Sequence, residues 1–160
     1  SHSFPWRIAR GLAYPIGGNN LNNWFFHRKL DVYLDETKPD VINVHNLHGF
    51  DWAPDLVETC ARHAPTVWTL HDTWSFTGRC TFNYDCRKFI DGCDESCPTP
   101  KEYPALQARL IAGAWKNRKR IFLQNPALSC VSPSRWLARL AGEGMWHGHV
   151  VEVCCPSAAR

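Results

Sequence analysis

The sequence predicts an α/β fold in which helices cover both faces of a parallel β-sheet. The chain has 160 residues, of which 44% are hydrophobic, so it is long enough for one domain with a substantial core. Short runs of β-branched and apolar residues recur along the chain, and segments with apolar residues at helical spacing separate them. Strands that are apolar on both sides and alternate with helices are typical of parallel sheets buried on both faces.

The first half of the chain supplies two predicted helices and two predicted strands. Residues 1–20 are rich in Gly, Pro and Asn and are expected to be irregular. Residues 21–34 carry apolar side chains at helical spacing and predict an amphipathic helix, and residues 41–44 predict the first strand. Residues 52–63 predict a helix with Asp51 as its N-cap, and residues 66–70 predict the second strand.

The second half continues the alternation. A helix is predicted over residues 105–119, a strand over 128–131, and a helix from Ser132-Pro133-Ser134 to about Leu140. Residues 150–154 predict the last strand. With right-handed crossovers, this order makes residues 1–160 a single Rossmann-like domain.

Polar side chains follow three of the predicted strands. They are His45 with Asn46, His71 with Asp72, and Ser134 in the Ser-Pro-Ser segment. Ligands of open α/β sheets gather beyond the carboxyl ends of the strands, so these residues are the candidate site. His71 is the main candidate, because an imidazole donates or accepts a hydrogen bond near neutral pH and the strand holds it rigidly. His48 is a weaker candidate on the same argument.

Four cysteines lie close together in a loop insertion at residues 78–98. Cys80, Cys86, Cys93 and Cys97 have the spacing C-x5-C-x6-C-x3-C, which suits a structural zinc site closed by four thiolates. Two disulfides or four uncoordinated thiols remain as alternatives, although a reducing cytosol favours zinc. In each case we expect the segment to have little apolar material of its own, so that sulfur chemistry would hold it in place.

The charged and glycine-rich stretches give weaker signals. The basic run Lys116–Arg120 is predicted to end a helix, where it is solvated or contacts anionic lipid head groups. Residues 17–20, Gly-Gly-Asn-Asn, could cradle a phosphate but follow no apolar strand. The net charge of +3 requires no nucleic-acid partner. We expect a cytoplasmic protein that can also contact the inner face of the plasma membrane.

Three segments together resemble bacterial family 4 glycosyltransferases of the exopolysaccharide and colanic-acid type. They are PDVINVHNLHG, PTVWTLHDTWSFTGRC with its trailing cysteines, and LSCVSPSRWLARLA, and the resemblance spans residues 38–156. It implies the N-terminal half of a GT-B fold and a retaining transfer from a nucleotide-sugar donor to a saccharide or lipid-linked saccharide. It also implies that no redox cofactor is used.

The resemblance also assigns residues. The histidine matching His71 faces the cleft near the transferred sugar, and the segment matching Trp74–Gly78 lines the acceptor side, which adds Trp74, Thr77 and Gly78 to the expected substrate contacts. Ser134 begins the helix behind the strand that closes the cleft floor. The family's first strand with its glycine-rich loop and its C-terminal donor-binding domain have no counterpart in these residues, so we expect little transfer by this chain alone. The alternative is a non-catalytic, zinc-stabilised module that binds carbohydrate or protein.

Overall fold

Four short strands form one parallel sheet, and helices connect them. The computed structural model describes residues 21–50, 52–147 and 151–153. The elements in chain order are α1 (Leu21–Thr37), β1 (Ile42–Val44), α2 (Leu56–His63), β2 (Thr66–Thr69), α3 (Ala108–Gln124), β3 (Leu128–Ser132), α4 (Arg135–Glu143) and β4 (Val151–Val153). The strands lie side by side in the order β1-β2-β3-β4, and every neighbouring pair is parallel. The predicted α/β fold with a Rossmann-like parallel sheet is confirmed.

Several helix boundaries differ from the prediction. The helix α2 begins at Leu56 rather than at residue 52, because Pro54 and Asp55 form a turn whose carbonyls accept the amides of Val57 and Glu58. The helix α1 runs on to Thr37, and α3 occupies residues 108–124 instead of 105–119. The predicted N-cap Asp51, the irregular residues 1–20 with their Gly-Gly-Asn-Asn stretch, and residues 150 and 154 of the last strand lie outside the described residues.

Side chains alternate between the two faces of the sheet, as the strand geometry requires. Val44, Trp68 and Cys130 stand opposite one another in register, and all three are buried. The Trp68 ring stacks against Phe122 of α3, with 6.3 Å between the ring centroids. Val67, the neighbour of Trp68 on the same strand, points the other way and is only half-buried. The main core therefore lies between the sheet and its connecting helices.

Polar contacts join the helices that lie on this core. Arg120 of α3 donates two hydrogen bonds to the Glu58 carboxylate of α2, at 2.7 and 2.8 Å. Burial alone would raise the pKa of Glu58, but the bonds and charge of Arg120 outweigh it and leave that pKa lowered. Asn117 of α3 donates to Asp55 at 2.6 Å, which fixes the same pair of helices.

The basic run Lys116–Arg120 lies in the middle of α3 and not at a helix end, which corrects the prediction. Arg118 is buried, and Arg120 is committed to Glu58. The run is therefore largely part of the packing and does not form a continuous cationic surface. Among the described residues, no helix is both long enough and apolar enough to cross a membrane.

The helix α1 exposes part of the face that was predicted to be buried. Leu34 is buried and Leu30 is half-buried, but Trp24 is 58% exposed and Tyr33 is 60% exposed. The Asp31 carboxylate of α1 accepts hydrogen bonds from Arg62 and His63 of α2. Ion pairing as well as apolar burial therefore positions this helix.

Candidate functional site

Two histidines meet at the carboxyl edge of the sheet. His45 directly follows β1, and His71 follows β2 by two residues; because the strands are parallel neighbours, both side chains reach the same edge. His45 Nδ1 lies 2.9 Å from His71 Nε2, and the rings stack with 5.2 Å between their centroids. One nitrogen must donate the hydrogen and the other must accept it, so at least one of the two rings is neutral. Both rings remain exposed to solvent.

A third histidine, His48, pairs with the carboxylate of Asp72 in the same part of the structure. His48, in a single 3-10 turn at His48–Phe50, is buried, and its Nε2 lies 3.2 Å from Asp72 Oδ2. The other carboxylate oxygen of Asp72 accepts the backbone amide of Trp74 at 2.9 Å. Burial raises the pKa of Asp72, although the Trp74 amide and the charge of His48 oppose that rise. This network fixes the turn that follows His71.

These side chains line a small pocket that is open to solvent. The lining includes five of the predicted catalytic and substrate-binding residues, His45, Asn46, His71, Asp72 and Trp74, together with residues such as His48 and Ser75. The structure therefore brings together most of the predicted site.

Ser75 was not among the predicted substrate-binding residues. It is buried, it lines the pocket, and within the described part of the chain its hydroxyl has no hydrogen-bond partner. A buried hydroxyl without a hydrogen bond destabilises the folded state unless a ligand or a water molecule forms that bond. The only sequence signal for Ser75 is its position inside the Trp-Ser-Phe-Thr-Gly turn.

Thr77 and Gly78, which were expected to contact the acceptor, lie in the interior of the domain. The Thr77 hydroxyl donates to the carbonyl of Cys80 at 2.9 Å, and the Gly78 carbonyl accepts Arg118 Nη1 at 3.1 Å. The guanidinium of Arg118 also lies over the Trp74 ring, 4.2 Å from its centroid. The observed contacts of Thr77 and Gly78 are thus with protein groups, and neither residue lines the pocket.

Ser134 has a structural role at the start of α4. Its side chain accepts the amide of Leu137 at 3.4 Å, so Ser134 is the N-cap, and Pro133 precedes the helix instead of lying in its first turn as predicted. It lies at the carboxyl end of β3, next to the end of β2, but outside the lining of the pocket.

The four clustered cysteines are free thiols, and the structure gives no support to the zinc prediction. Within the described ranges, no group of three or more His, Cys, Asp or Glu side chains is arranged to hold a metal ion. No disulfide joins Cys80, Cys86, Cys93 or Cys97 to another described cysteine. Burial, and after it the neighbouring thiols of the cluster, raises the pKa of the Cys80 thiol and raises that of Cys93 to about 11.

The segment around these cysteines is held by packing and hydrogen bonds, contrary to our expectation that it has little apolar material of its own. Phe76 and Phe89 are fully buried and meet edge to face, with 5.4 Å between their centroids. Trp115 of α3 donates its indole hydrogen to the carbonyl of Phe89 at 3.0 Å. Thr73 donates to the carbonyl of Cys80, which closes the turn next to the pocket.

Comparisons with known proteins agree with this geometry. The sequence model of Glycosyltransferase Family 4 matches residues 4–151. The chain is also 37% identical over 114 residues to "Putative colanic acid biosynthesis glycosyl transferase WcaC" of Escherichia coli (strain K12); the match covers 62% of this chain and 27% of that protein. The chain thus spans about a quarter of the length of that relative.

No solved structure matches the chain. The family match covers nearly all of the sheet and the whole of the His45–His71 pocket. The chain belongs to glycosyltransferase family 4.

Proposed function

We propose that this chain forms the acceptor-binding side of a retaining glycosyltransferase. The enzyme transfers a sugar from a nucleotide-sugar donor to a saccharide, free or lipid-linked, during synthesis of a cell-surface polysaccharide. Membership of family 4 and the likeness to a protein named for colanic acid biosynthesis support this assignment. The observation that carries it is the exposed His45–His71 pair at the mouth of a pocket on the carboxyl edge of the sheet.

The hydrogen bond between the two imidazoles determines what they offer a ligand. When both rings are neutral, the shared bond uses one donor and one acceptor nitrogen. The two outer nitrogens, His45 Nε2 and His71 Nδ1, are then one acceptor and one donor in either tautomeric arrangement. A sugar hydroxyl both donates and accepts, so the pair is suited to bind and orient a hydroxyl or two neighbouring hydroxyls.

In this proposal His71 is the catalytic residue, in the sense that it touches the acceptor sugar at the point of transfer. Retention of this kind requires no general base, so His71 orients a hydroxyl and removes no proton. The Asp72–His48 contact keeps the turn after His71 in place, and the Ser75 hydroxyl supplies a further hydrogen bond inside the pocket. The nucleotide part of the donor would be bound by a separate donor-binding domain.

The proposal is tested by histidine NMR on the chain labelled with carbon-13 in its imidazoles, each signal being assigned by a single substitution. Neutral oligosaccharides are expected to shift the signals of His45 and His71, because a hydroxyl competes with or extends their mutual hydrogen bond. Nucleotide sugars without an acceptor are expected to leave both signals unchanged. The internal reference is His147, which is exposed and follows α4 in the chain; its Nδ1 lies 3.1 Å from the carbonyl oxygen of Gly142.

Three outcomes would count against the assignment. Nucleotide sugars could shift the His45 and His71 signals while oligosaccharides do not, which would place the donor here. The variant His71→Ala could bind oligosaccharides as tightly as the wild type and as the control His147→Ala. Finally, the chain alone could transfer sugar at ordinary enzymatic rates of about 1–1,000 s⁻¹ from a panel of nucleotide sugars, which a mere acceptor side cannot do.

A further inference from the structure

Four large aromatic side chains stand exposed beside the pocket. Phe82, Tyr84, Tyr103 and Trp136 have exposed fractions of 51%, 58%, 65% and 41%. Single exposed aromatic residues are common, but a contiguous group of exposed rings marks a binding surface. None of the four is among the predicted site residues or the residues that line the pocket.

Ring contacts connect Phe82, Tyr84 and Trp136, and Tyr103 lies between this cluster and the pocket along the chain; we call these four residues the rim aromatics. Phe82 stacks on Trp136 with 5.6 Å between centroids and an interplanar angle of 23°, and Tyr84 meets Phe82 edge to face at 5.0 Å. The charge of the nearby Glu102 carboxylate raises the pKa of the Tyr84 phenol. Tyr103 directly follows Glu102 in the chain, and its ring meets His48 at the pocket.

Two contacts tie the rim aromatics to the histidine site. The Tyr103 ring lies 6.1 Å from the ring of His48. The carbonyl of Thr81, which precedes Phe82, accepts the amide of Thr73, two residues after His71. The rings therefore continue the site along the carboxyl edge from β1 and β2 towards α4.

The backbone of Tyr84 is held in an unfavourable conformation. Its φ is +47°, in the left-handed region that non-glycine residues rarely adopt. Such a conformation persists where the surroundings fix the residue, and positions of this kind cluster at binding sites. Here the conformation presents a large ring to solvent and leaves its phenol near Glu102.

We propose that the rim aromatics are a saccharide-binding subsite, on which a pyranose ring of the acceptor stacks next to the sugar held at His71. The inference rests on the proposed function and names the surface that extends it. The C–H face of a pyranose is apolar and flat, so it packs on an exposed aromatic ring, while its hydroxyls reach polar neighbours such as Glu102.

The exposed aromatic residues of α1 provide a contrast. There, Lys29 lies over Phe25 with 4.5 Å between its ammonium and the ring centroid, and Arg28 lies over Trp24 at 5.5 Å. Cations beside exposed rings suit an anionic surface such as lipid head groups. Near Tyr84 the charges of the Glu102 carboxylate and the Arg79 guanidinium oppose each other, which favours a neutral, hydroxyl-rich ligand.

The test uses fluorine NMR of the whole chain labelled with 5-fluorotryptophan. Trp136→Phe and Trp24→Phe assign the two signals of interest. Neutral trisaccharides of glucose and galactose at millimolar concentrations are expected to shift the Trp136 signal and not the Trp24 signal. Phe82→Ala, which removes the stacking partner of Trp136, is expected to weaken this binding about two- to tenfold, the equivalent of one aromatic contact. Trp24→Ala removes an equally exposed ring elsewhere and is expected to have no effect.

Each result decides between the two proposals. If the His45 and His71 signals shift while Trp136 does not, the proposed function stands and the subsite is wrong. If Trp136 shifts and Phe82→Ala weakens binding, the subsite stands even where the histidine signals fail to move. A Trp136 signal that responds only to phosphatidylglycerol vesicles, or equal effects of Phe82→Ala and Trp24→Ala, would overturn the subsite. Unchanged fluorine signals of the other tryptophans show that Phe82→Ala is folded.

Discussion

Replacing Gly78 by alanine separates a packing role from a substrate-binding role for this residue. The resemblance to family 4 placed Gly78 on the acceptor side, whereas the structure places it in the interior against α3. A Cβ added at this position would lie 2.5 Å from Cγ2 of Ile111, 2.8 Å from Cβ of Cys93 and 3.0 Å from the Ile111 carbonyl. The φ of Gly78 lies outside the left-handed region that favours glycine, so space alone sets the cost.

The magnitude follows from how little the neighbours can move. Ile111 is 1% exposed, and two of the three nearest atoms belong to or adjoin the backbone. Overpacking a close-packed interior costs about 1–3 kcal/mol, and we expect Gly78→Ala to fall in the upper half of that range. For a chain of this length the loss lowers the melting temperature by roughly 4–12 °C.

Gly113→Ala is the matched control, because Gly113 lies on the same helix as Ile111 and no atom lies within 4 Å of its added Cβ. Glycine in an open helix interior is less stable than alanine by about 0.5–1 kcal/mol, so this variant is expected to be more stable than the wild type. Urea unfolding followed by circular dichroism measures both changes. If Gly78→Ala unfolds at the wild-type midpoint but binds oligosaccharides more weakly, the packing argument is wrong and Gly78 contacts substrate.

Two further predictions concern Asp72 and the cysteine segment. Because burial raises the pKa of Asp72, its ionised form is disfavoured in the folded state; the free energy of unfolding of the wild type should therefore fall relative to that of Asp72→Asn as the pH rises above 3.8, the ordinary value. Urea unfolding from pH 3 to pH 7 measures this difference, and a gap that is constant over the series would contradict the assignment. Treatment with a chelator under reducing conditions should leave the unfolding midpoint unchanged, because Phe76, Phe89 and the Trp115 hydrogen bond hold the segment. A midpoint lowered by several degrees would show that a metal stabilises it.

The elements of the fold were predictable because local patterns determine them. The runs at residues 42–44, 66–69 and 128–132 are β-branched or apolar and short, and helical segments alternate with them, which is enough to give a parallel sheet. The boundaries were less predictable, because long-range contacts set them. The helix α3 continues through its basic run to Gln124 since Arg120 is paired with Glu58 of α2, a partner 62 residues away.

The site was predictable to the extent that strand ends locate it. His45 and His71 were expected at the carboxyl edge, and the structure places them there in mutual contact. Ser75 carried no usable signal, because a serine inside a turn is ordinary until its hydroxyl is seen to be buried at a pocket. The spacing of the cysteines resembled a metal site, and the four thiols do lie near one another, but within the described residues they are not arranged to hold a metal ion.

By itself, the sequence determined the alternation of strands and helices, the family and the pair of strand ends at which the site lies, since these depend on residue type and local order. Only the tertiary structure decided that Thr77 and Gly78 are interior, that aromatic packing holds the cysteine segment, and that Phe82, Tyr84 and Trp136 form one exposed cluster. The reason is physical: burial and contact depend on which distant residues share a given volume. No local pattern of side chains carries that information.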